Sequence, residues 1–588
     1  MERKIVNESG GRARIHQKAR AMKPYFLKKT RSAQKENMLR FVPLGGLEEI
    51  GRNMMFFEYN NEIVIIDAGL QFPEEETPGI DFIIPNVTYL EENKDKVKAL
   101  IITHAHLDHI GAIPYIMEKI GNPPIYTTAL SREIIKRRQE EFQNAPKLIF
   151  EEVKAGDTVR ISDNFSAEFF GGMHTIPDSI IVLLKTPAGN MCNLGDFRME
   201  YDKEGNAQGM AMFEKISVKG VQAIFLDSTA AEKPGKGVSE ETVEQNIEEV
   251  FRKAPGRIIV GTFASLLDRI RTVMQIAERC GRKVVISGRS MQENVKIAQN
   301  LGYIKMTQGL IVPLEDVRKY KDEKILIVST GAQGETNASL MKIILGEHKH
   351  IRIKPGDTVI FSSSIIPGNE RSVQTLMDNL ARQGAIIHRS AFMDLHASGH
   401  GPQEDIKAVL RAIKPKFFFP IHGYYFMRYT NVNNAVEAGV KRENCVLMDN
   451  GQVAEISKLK VEVIKETVPA YYVMVDGLGV GDVGEVVLRD RRVLAQEGMV
   501  VIIATMDKQS GKILKNPDII SRGFIYLKEN KEILDEIRRR IRGIFGRLPV
   551  DQEVDIDYFK GLIRDQIGQF LFNKTKRRPM VLPVVIEI

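Results

Sequence analysis

The stretch Thr103-His104-Ala105-His106-Leu107-Asp108-His109, entered from the apolar run Ala99-Leu100-Ile101-Ile102 and left through Ile110-Gly111, decides how the rest of the chain is read. On extended backbone, side chains at alternate positions share a face, so His104 and His106 can grip one ion as the chain leaves a buried strand. Where the chain then turns, Asp108 and His109 are re-aimed toward a second ion. Imidazole with carboxylate suits zinc or manganese, whereas magnesium takes mostly oxygen. A lone histidine is normally a satisfied core residue. Four ligand-type side chains within six residues all need partners if buried, and a metal supplies them.

Beyond this cluster, the pattern of a buried strand ending in a polar group recurs. Ile63-Val64-Ile65-Ile66 ends in Asp67-Ala68-Gly69, where Asp67 suits orienting ligands better than binding an ion itself. Ile110 to Lys119 is expected to be a short helix. Pro177, in His174-Thr175-Ile176-Pro177-Asp178-Ser179, puts His174 in a loop rather than a ladder. Met191-Cys192-Asn193-Leu194 runs into Gly195-Asp196-Phe197, and the two carboxylate oxygens of Asp196 could bridge two ions. Ile224-Phe225-Leu226 ends in Asp227, and Phe417-Phe418-Phe419-Pro420-Ile421 ends in His422, which can complete the second ion. Of the 11 histidines, His16, His348, His350 and His388 fall outside these motifs.

Between Asp227 and His422 the texture changes. Helical stretches over Glu240 to Lys253 and Ser265 to Arg279 alternate with buried strands at Ile258, Val284 and Ile325, which means a parallel sheet covered by helices. The loops Ser287-Gly288-Arg289-Ser290, Ser362-Ser363-Ser364 and His396-Ala397-Ser398-Gly399-His400 carry hydroxyls and glycines that can expose donors to an anion, although ordinary loops share this composition. Arg289, Ser362, Ser364, His396 and Ser398, with few acids nearby in sequence, are read as a pocket for a terminal phosphate.

After Ser457 the chain is expected to be separate. Asp476-Gly477-Leu478-Gly479-Val480-Gly481 is a glycine-rich turn, because Asp482-Val483-Gly484-Glu485 does not open an apolar-faced helix as a dinucleotide fingerprint requires. Strands over Val500 to Ala504, Gly523 to Leu527 and Met580 to Ile588, with helices over Glu529 to Phe545 and Asp557 to Phe572, make a small α+β unit whose sheet could serve self-association.

The 588 residues exceed one core, and 43% hydrophobic with 27% charged residues describes a globular chain without a bilayer-spanning run. Cys192, Cys280 and Cys445 are scattered, which excludes a disulfide framework and fits a reducing cytoplasm. A net charge of +7 is small for this length. Residues 1–38, with Arg12, Arg14, Lys18, Arg20, Lys23, Lys28, Lys29, Arg31 and Lys35, form a basic tail expected to be disordered.

From about Arg40 to Ile588 these motifs resemble the ribonuclease J family, metallo-β-lactamase nucleases with an inserted β-CASP domain. Asp67-Ala68-Gly69-Leu70 with Phe72-Pro73, the cluster His104 to His109, His174 to Ser179 and Gly195-Asp196-Phe197 resemble its successive metallo-β-lactamase motifs. Asp227, His400 and His422 match the β-CASP positions. Ser362-Ser363-Ser364 with Pro367-Gly368-Asn369-Glu370, Gly477 to Gly484, and Pro517 to Gly523 resemble this branch in particular. A departure lies at Leu266 and Asp268, where the family usually has Asn and His.

The resemblance implies an α/β chain: a metallo-β-lactamase αββα sandwich in two parts (39–229 and 388–456), a β-CASP domain (230–387), and a linker with a C-terminal α+β oligomerisation domain (457–588). It implies two divalent ions, zinc with manganese as the alternative, one held by His104, His106 and His174, the other by Asp108, His109 and His422, and bridged by Asp196. Asp67, Asp108, Asp196 and His400 would serve catalysis. Arg289, Ser362, Ser364, His396, Ala397, Ser398, Gly399 and His400 would bind substrate. The implied activity is 5′→3′ exonuclease and endonuclease on single-stranded RNA, favouring a 5′-monophosphate end, by two-metal hydrolysis in RNA maturation and decay. The implied setting is a cytoplasmic homodimer or tetramer with partners in RNA degradation or at the ribosome, and no membrane. The rivals are a hydrolase of small thioesters or lactams, and an RNA-binding protein with a structural metal.

Overall fold

The computed structural model describes residues 38–588, except 74–76, 203, 336, 367, 391–392, 478, 508–511, 526–529 and 547–555. The basic tail expected over residues 1–38 therefore lies outside the described residues, apart from Met38.

Two sheets pack face to face. One runs in the order 461–467, 452–456, 39–45, 54–59, 62–66, 97–101, 125–127, 150–152, and the other in the order 417–421, 221–227, 189–193, 180–186, 166–171, 158–160. Their inner faces meet through aromatic rings: Phe41 lies 4.5 Å from Phe225 and 5.3 Å from Phe419, centroid to centroid. Strands such as Glu62–Ile66 are buried on both faces, because helices cover the outer sides, and they therefore read as continuous apolar runs. Leu90, Ile113, Ile116, Leu130 and Ile135 of the helical segments cover the first sheet. Phe213, Ile406, Leu410 and Val432 cover the second. This is the expected αββα sandwich.

The insert is a five-stranded, wholly parallel sheet in the order 283–287, 325–329, 258–261, 358–361, 386–389. Helices Glu240–Lys253, Leu267–Arg279 and Arg289–Asn300 cover one face, and Ser339–Ile344 and Glu370–Arg382 the other. Its edge strand continues to Arg389, past the limit of 387 expected for the insert. The chain then returns to the sandwich, where Phe417–Ile421 pairs in parallel with Val221–Asp227 and sets Ile421 opposite Asp227.

The chain after Ser457 is less separate than its sequence implied. Val461–Thr467 extends the first sheet by pairing with Gln452–Ile456, and Val473–Asp476 pairs with Phe82–Ile84. Both satisfy backbone groups that an open edge would leave bare, a term that no local pattern encodes. The C-terminal unit proper is the sheet 518–522, 499–506, 580–587 with helices Glu485–Glu497, Lys531–Phe545 and Ile556–Thr575. One expectation is corrected here. The strand expected from Gly523 lies at Asp518–Arg522, since Gly523 takes a φ of +67° that ends extended backbone. A helix does follow Gly484, but Leu488 is its one buried residue, so it shows no apolar stripe. Among the described residues, no helix is long and apolar enough to cross a membrane.

Candidate metal centre

The strand Val97–Ile101 stops just before the histidine cluster, and the chain runs extended through His106 (φ −73°, ψ 148°), which caps the short helix Leu107–Ile110. The one helix expected over Ile110 to Lys119 is instead two short ones, Leu107–Ile110 and Ile113–Ile116. Asp108 and His109 sit in the first turn of the former, and the change from extended to helical backbone aims them away from His104 and His106. Gly69 permits the close passage this needs: a Cβ there would lie 1.5 Å from the Asp108 carbonyl oxygen.

The ring nitrogens converge. His104 Nε2 and His174 Nε2 lie 3.1 and 3.0 Å from His106 Nδ1, and each is 3.8 Å from Asp196 Oδ2. On the other oxygen, Asp196 Oδ1 is 3.2 Å from His109 Nε2 and 2.9 Å from His422 Nδ1. Asp108 Oδ2 stands 3.6 Å from His109 Nε2 and 3.5 Å from His422 Nε2. Both sets, each including Asp196, keep their ligand atoms within 4.8 Å of one another.

The outer hydrogen bonds fix which nitrogens carry lone pairs. Thr103 Oγ1 lies 2.9 Å from Asp67 Oδ2, so it donates its proton to that carboxylate and accepts from His104 Nδ1–H at 3.1 Å. His109 Nδ1–H donates to Asp67 Oδ2 at 2.8 Å, and His174 Nδ1–H donates to the Gly399 carbonyl at 2.8 Å. The Nε2 atoms of His104 and His174 are therefore lone pairs aimed inward, and that of His109 becomes one when its second proton is lost. Facing lone pairs in a buried site are unfavourable until a cation sits between them. His422 Nε2 is buried without a hydrogen-bond partner, a further acceptor awaiting a ligand. The residues fit a pair of divalent ions by donor chemistry.

The backbone carries strain at two of these positions: Asp67 and His422 adopt φ of +60° and +49°, values that such residues seldom take outside functional sites. Asp67 is held there by bonds from Thr103 N (2.8 Å), Thr103 Oγ1 and His109, and its oxygens point to these partners rather than to the ion positions.

Electrostatics separates the two halves. Burial pushes His104 well below the ordinary histidine range, with His109, His106 and His174 adding to the effect, and burial likewise lowers His174 well below that range and His106 to about 4. For His109 and His422 burial also opposes the charge, but Asp196 and the neighbouring carboxylates outweigh it and raise both. Asp196 is held well below the carboxylate range by His422 and His109 despite its burial. His400 lies over the mouth, its ring 5.8 Å from His174 and 5.5 Å from His422. Its Nδ1 is 2.6 Å from Asp227 Oδ2, and although burial lowers it, Asp227 and Asp196 raise it to about 9.

The expected phosphate pocket is assembled only in part. Ser362 is fully buried, and its hydroxyl donates to the Leu395 carbonyl at 2.7 Å while accepting from Arg269 Nη1 at 2.8 Å, so it is spent on structure. Arg289 is 78% exposed and paired with Glu293 at 3.0 Å, an acid it shares with Arg137. His396 is half-buried, and desolvation together with the nearby Arg269 and Arg198 lowers it to about 3, so it is neutral. His396 and Ala397 line a cavity of about 470 Å³ that also holds Glu240, Glu241, Glu244 and Asp268, the acids that the sequence did not reveal. Ser398 accepts from the His400 amide at 3.2 Å, and Gly399 sits where a Cβ would come within 2.6 Å of the His174 ring. Ser364 is exposed, its carbonyl accepting from Gln333 at 2.8 Å. Arg269 is the cation missed in the sequence. It bonds Ser362, the Leu395 carbonyl and Glu240, tying the wall of the insert to the 395–400 loop. A buried arginine on an otherwise apolar helix face was its one available signal.

Family models match residues 47–184 (metallo-beta-lactamase superfamily), 255–380 (ribonuclease J, beta-CASP domain), 391–438 (Zn-dependent metallo-hydrolase RNA specificity domain) and 486–588 (ribonuclease J C-terminal domain). Ribonuclease J2 of Bacillus subtilis (strain 168) is 36% identical over 94% of this chain and 99% of its own length. The chain belongs to the ribonuclease J family. Ribonuclease J 1 of Streptococcus pyogenes serotype M3 is 36% identical over 95% of this chain and 99% of its own, and ribonuclease J 2 of Staphylococcus aureus (strain NCTC 8325 / PS 47) is 35% identical over 94% and 99%. A crystal structure of a protein of unknown function from Enterococcus faecalis V583 shares the fold, with a TM-score of 0.51 and 17% identity over 71% of this chain and 100% of that one. Membership of the ribonuclease J family makes the chain a metal-binding hydrolytic nuclease that acts on RNA.

Proposed function

We propose that the chain hydrolyses single-stranded RNA by two-metal catalysis, removing nucleotides from a 5′-monophosphate end and also cutting internally. The observation that carries this is Asp196, one buried carboxylate whose two oxygens face two different sets of ring nitrogens. A pair of divalent ions, zinc with manganese as the alternative, would lower the pKa of a water and offset charge on the phosphodiester. The chain's own groups do the rest. Asp67 holds His109 in one tautomer and orientation. Asp227 keeps His400 protonated at neutral pH, so His400 can donate to the phosphate or to the leaving oxygen.

Preference for a terminal phosphate is supported by the Ser398 hydroxyl and the backbone of Gly399 next to His174, in a loop that Ser362 holds through the Leu395 carbonyl. The cations that line the cavity beside His396 are Arg198, Arg269 and Arg271, where the sequence had suggested Arg289. Labelled RNA carrying a 5′-monophosphate, triphosphate or hydroxyl, incubated with and without chelator, tests the proposal. Chelator-sensitive release of mononucleotides, fastest from the monophosphate, is the expected result, and equal rates from all three ends would remove the end preference. Cleavage of a thioester or lactam but not RNA would favour the rival hydrolase.

Self-association is the reading for the C-terminal sheet, whose outer face shows Ile520, Leu582, Val584 and Ile586 at 40–45% exposure. Replacing Leu582 with Asp and Val584 with Lys should lower the mass seen by light scattering. An unchanged mass would refute the dimer through this face. The free thiols Cys192, Cys280 and Cys445 support a reducing, cytoplasmic setting.

A further inference from the structure

Immediately after His422 the chain reads Gly423-Tyr424-Tyr425-Phe426-Met427-Arg428-Tyr429 and enters the helix Tyr425–Glu437. Met427, Val432 and Ala435 turn inward. Tyr425, Phe426 and Tyr429 do not: they are 54%, 52% and 46% exposed. Tyr425 and Tyr429, one turn apart, stand with centroids 6.4 Å apart and planes 19° from parallel. The guanidinium of Arg428 lies 5.7 Å from the centre of the Tyr425 ring, and that of Arg442 lies 5.4 Å from the Tyr429 ring.

These rings adjoin the metal centre. Gly423 bridges to Leu47 and Glu49, at the start of the loop that carries Asn53 to within 3.1 Å of His109 Nε2. The same loop sends Arg52 under Tyr472, 4.6 Å from the ring centre, and Tyr471 and Tyr472 are themselves largely exposed. A single exposed ring needs no explanation, but three on the first turns of the helix that follows His422, with two more beyond the loop it bridges to, do.

We propose that this aromatic rim, Tyr425, Phe426 and Tyr429 with Tyr471 and Tyr472 beyond the loop, stacks bases of the RNA strand outside the scissile linkage. The proposal rests on the ribonuclease activity proposed above. Among the exposed hydrophobic residues of the helix's first turns the side chains are all rings, not the aliphatic mixture of a protein interface, and every base has a π-face. The local charge is nearly balanced, since Asp449 lies 3.5 Å from Arg428 and Glu48 also faces that arginine. Attraction here therefore comes from stacking, helped by the guanidinium groups, more than from phosphate neutralisation. Such a surface tolerates any sequence and would hold the strand in place between successive cuts.

The test is a cycle between rings and bases in the metal-loaded full chain. The triple variant Tyr425→Leu, Phe426→Leu, Tyr429→Leu keeps apolar volume while removing the ring faces. Cleavage of an intact RNA of about twenty nucleotides should lose on the order of tenfold in kcat/KM, mostly through KM. Wild type should suffer a similar loss when abasic nucleotides replace the bases that reach the rim, found by moving a pair of them along the strand. Variant and abasic RNA together should lose no more than either alone. Additive losses, or a variant within twofold of wild type on intact RNA, would overturn the proposal, as would a fall in light-scattering mass showing that a second copy covers the rings. A wild-type chain that cuts no RNA would instead overturn the ribonuclease activity on which the proposal rests.

Discussion

The two halves of the metal centre share Asp196 but are built differently. Around His106 the ring nitrogens face one another with their protons held outward by Thr103 and Gly399, and burial keeps them neutral. Around His422 the rings face Asp108 and Asp196, and those carboxylates make protonation favourable. The first half thus presents lone pairs already free of protons, whereas the second must lose protons to take an ion. The same residue type serves both, and the neighbours decide its proton affinity.

Removing the group common to both halves should have the largest effect. Asp196→Asn should lower the metal content of both halves and cut RNA cleavage by more than about a hundredfold, beyond the range of outer-sphere changes. Metal analysis with a cleavage assay checks this, and near-normal turnover with two ions retained would end the bridging role. Asp67→Asn removes a direct partner of His109 and reaches His104 only through Thr103. It should weaken the ion at His109 by roughly 10- to 100-fold while leaving the His104, His106 and His174 set loaded, as metal titration would read.

Acidification should separate the halves without mutation. His109 and His422 have raised pKa values, so as pH falls through their range they gain protons that compete with the ion, whereas the lowered His104 and His174 remain neutral. Dialysis at stepwise lower pH should therefore release the ion of the His422 half first, and simultaneous loss would contradict the contrast. The smallest effect expected is on the pH profile. His400, raised to about 9, acts while protonated, so activity should hold below that pH and fall as pH rises through it. Asp227→Asn removes the nearest carboxylate, and the alkaline limb should move to lower pH. An unmoved limb would assign it to another group.

The fold's main divisions were legible because their signals are local. Helix Glu240–Lys253 is readable to its ends from its apolar spacing, and strands at Ile258, Val284 and Ile325 from short buried runs. The proposed ligands could be picked out because each follows such a strand, in the loop or in the short helix Leu107–Ile110 after it. The expected phosphate pocket reads poorly because Ser and Arg look alike whether they face a ligand or a structural partner. Only the fold shows that Ser362 is spent on Leu395 and Arg289 on Glu293.

Sequence alone settled which residues could be ligands and which elements would carry them, since strand and helix periodicity and the chemistry of imidazole and carboxylate depend only on neighbours along the chain. It took the folded chain to choose which nitrogen of each ring faces inward, which half lies near carboxylates, and that strand Val461–Thr467 belongs to the sandwich rather than to the terminal unit. Those outcomes rest on contacts between distant segments, as between His174 and Gly399 or His422 and Asp196. Burial and hydrogen-bond partners, which set tautomer and proton affinity, exist only once such segments have met.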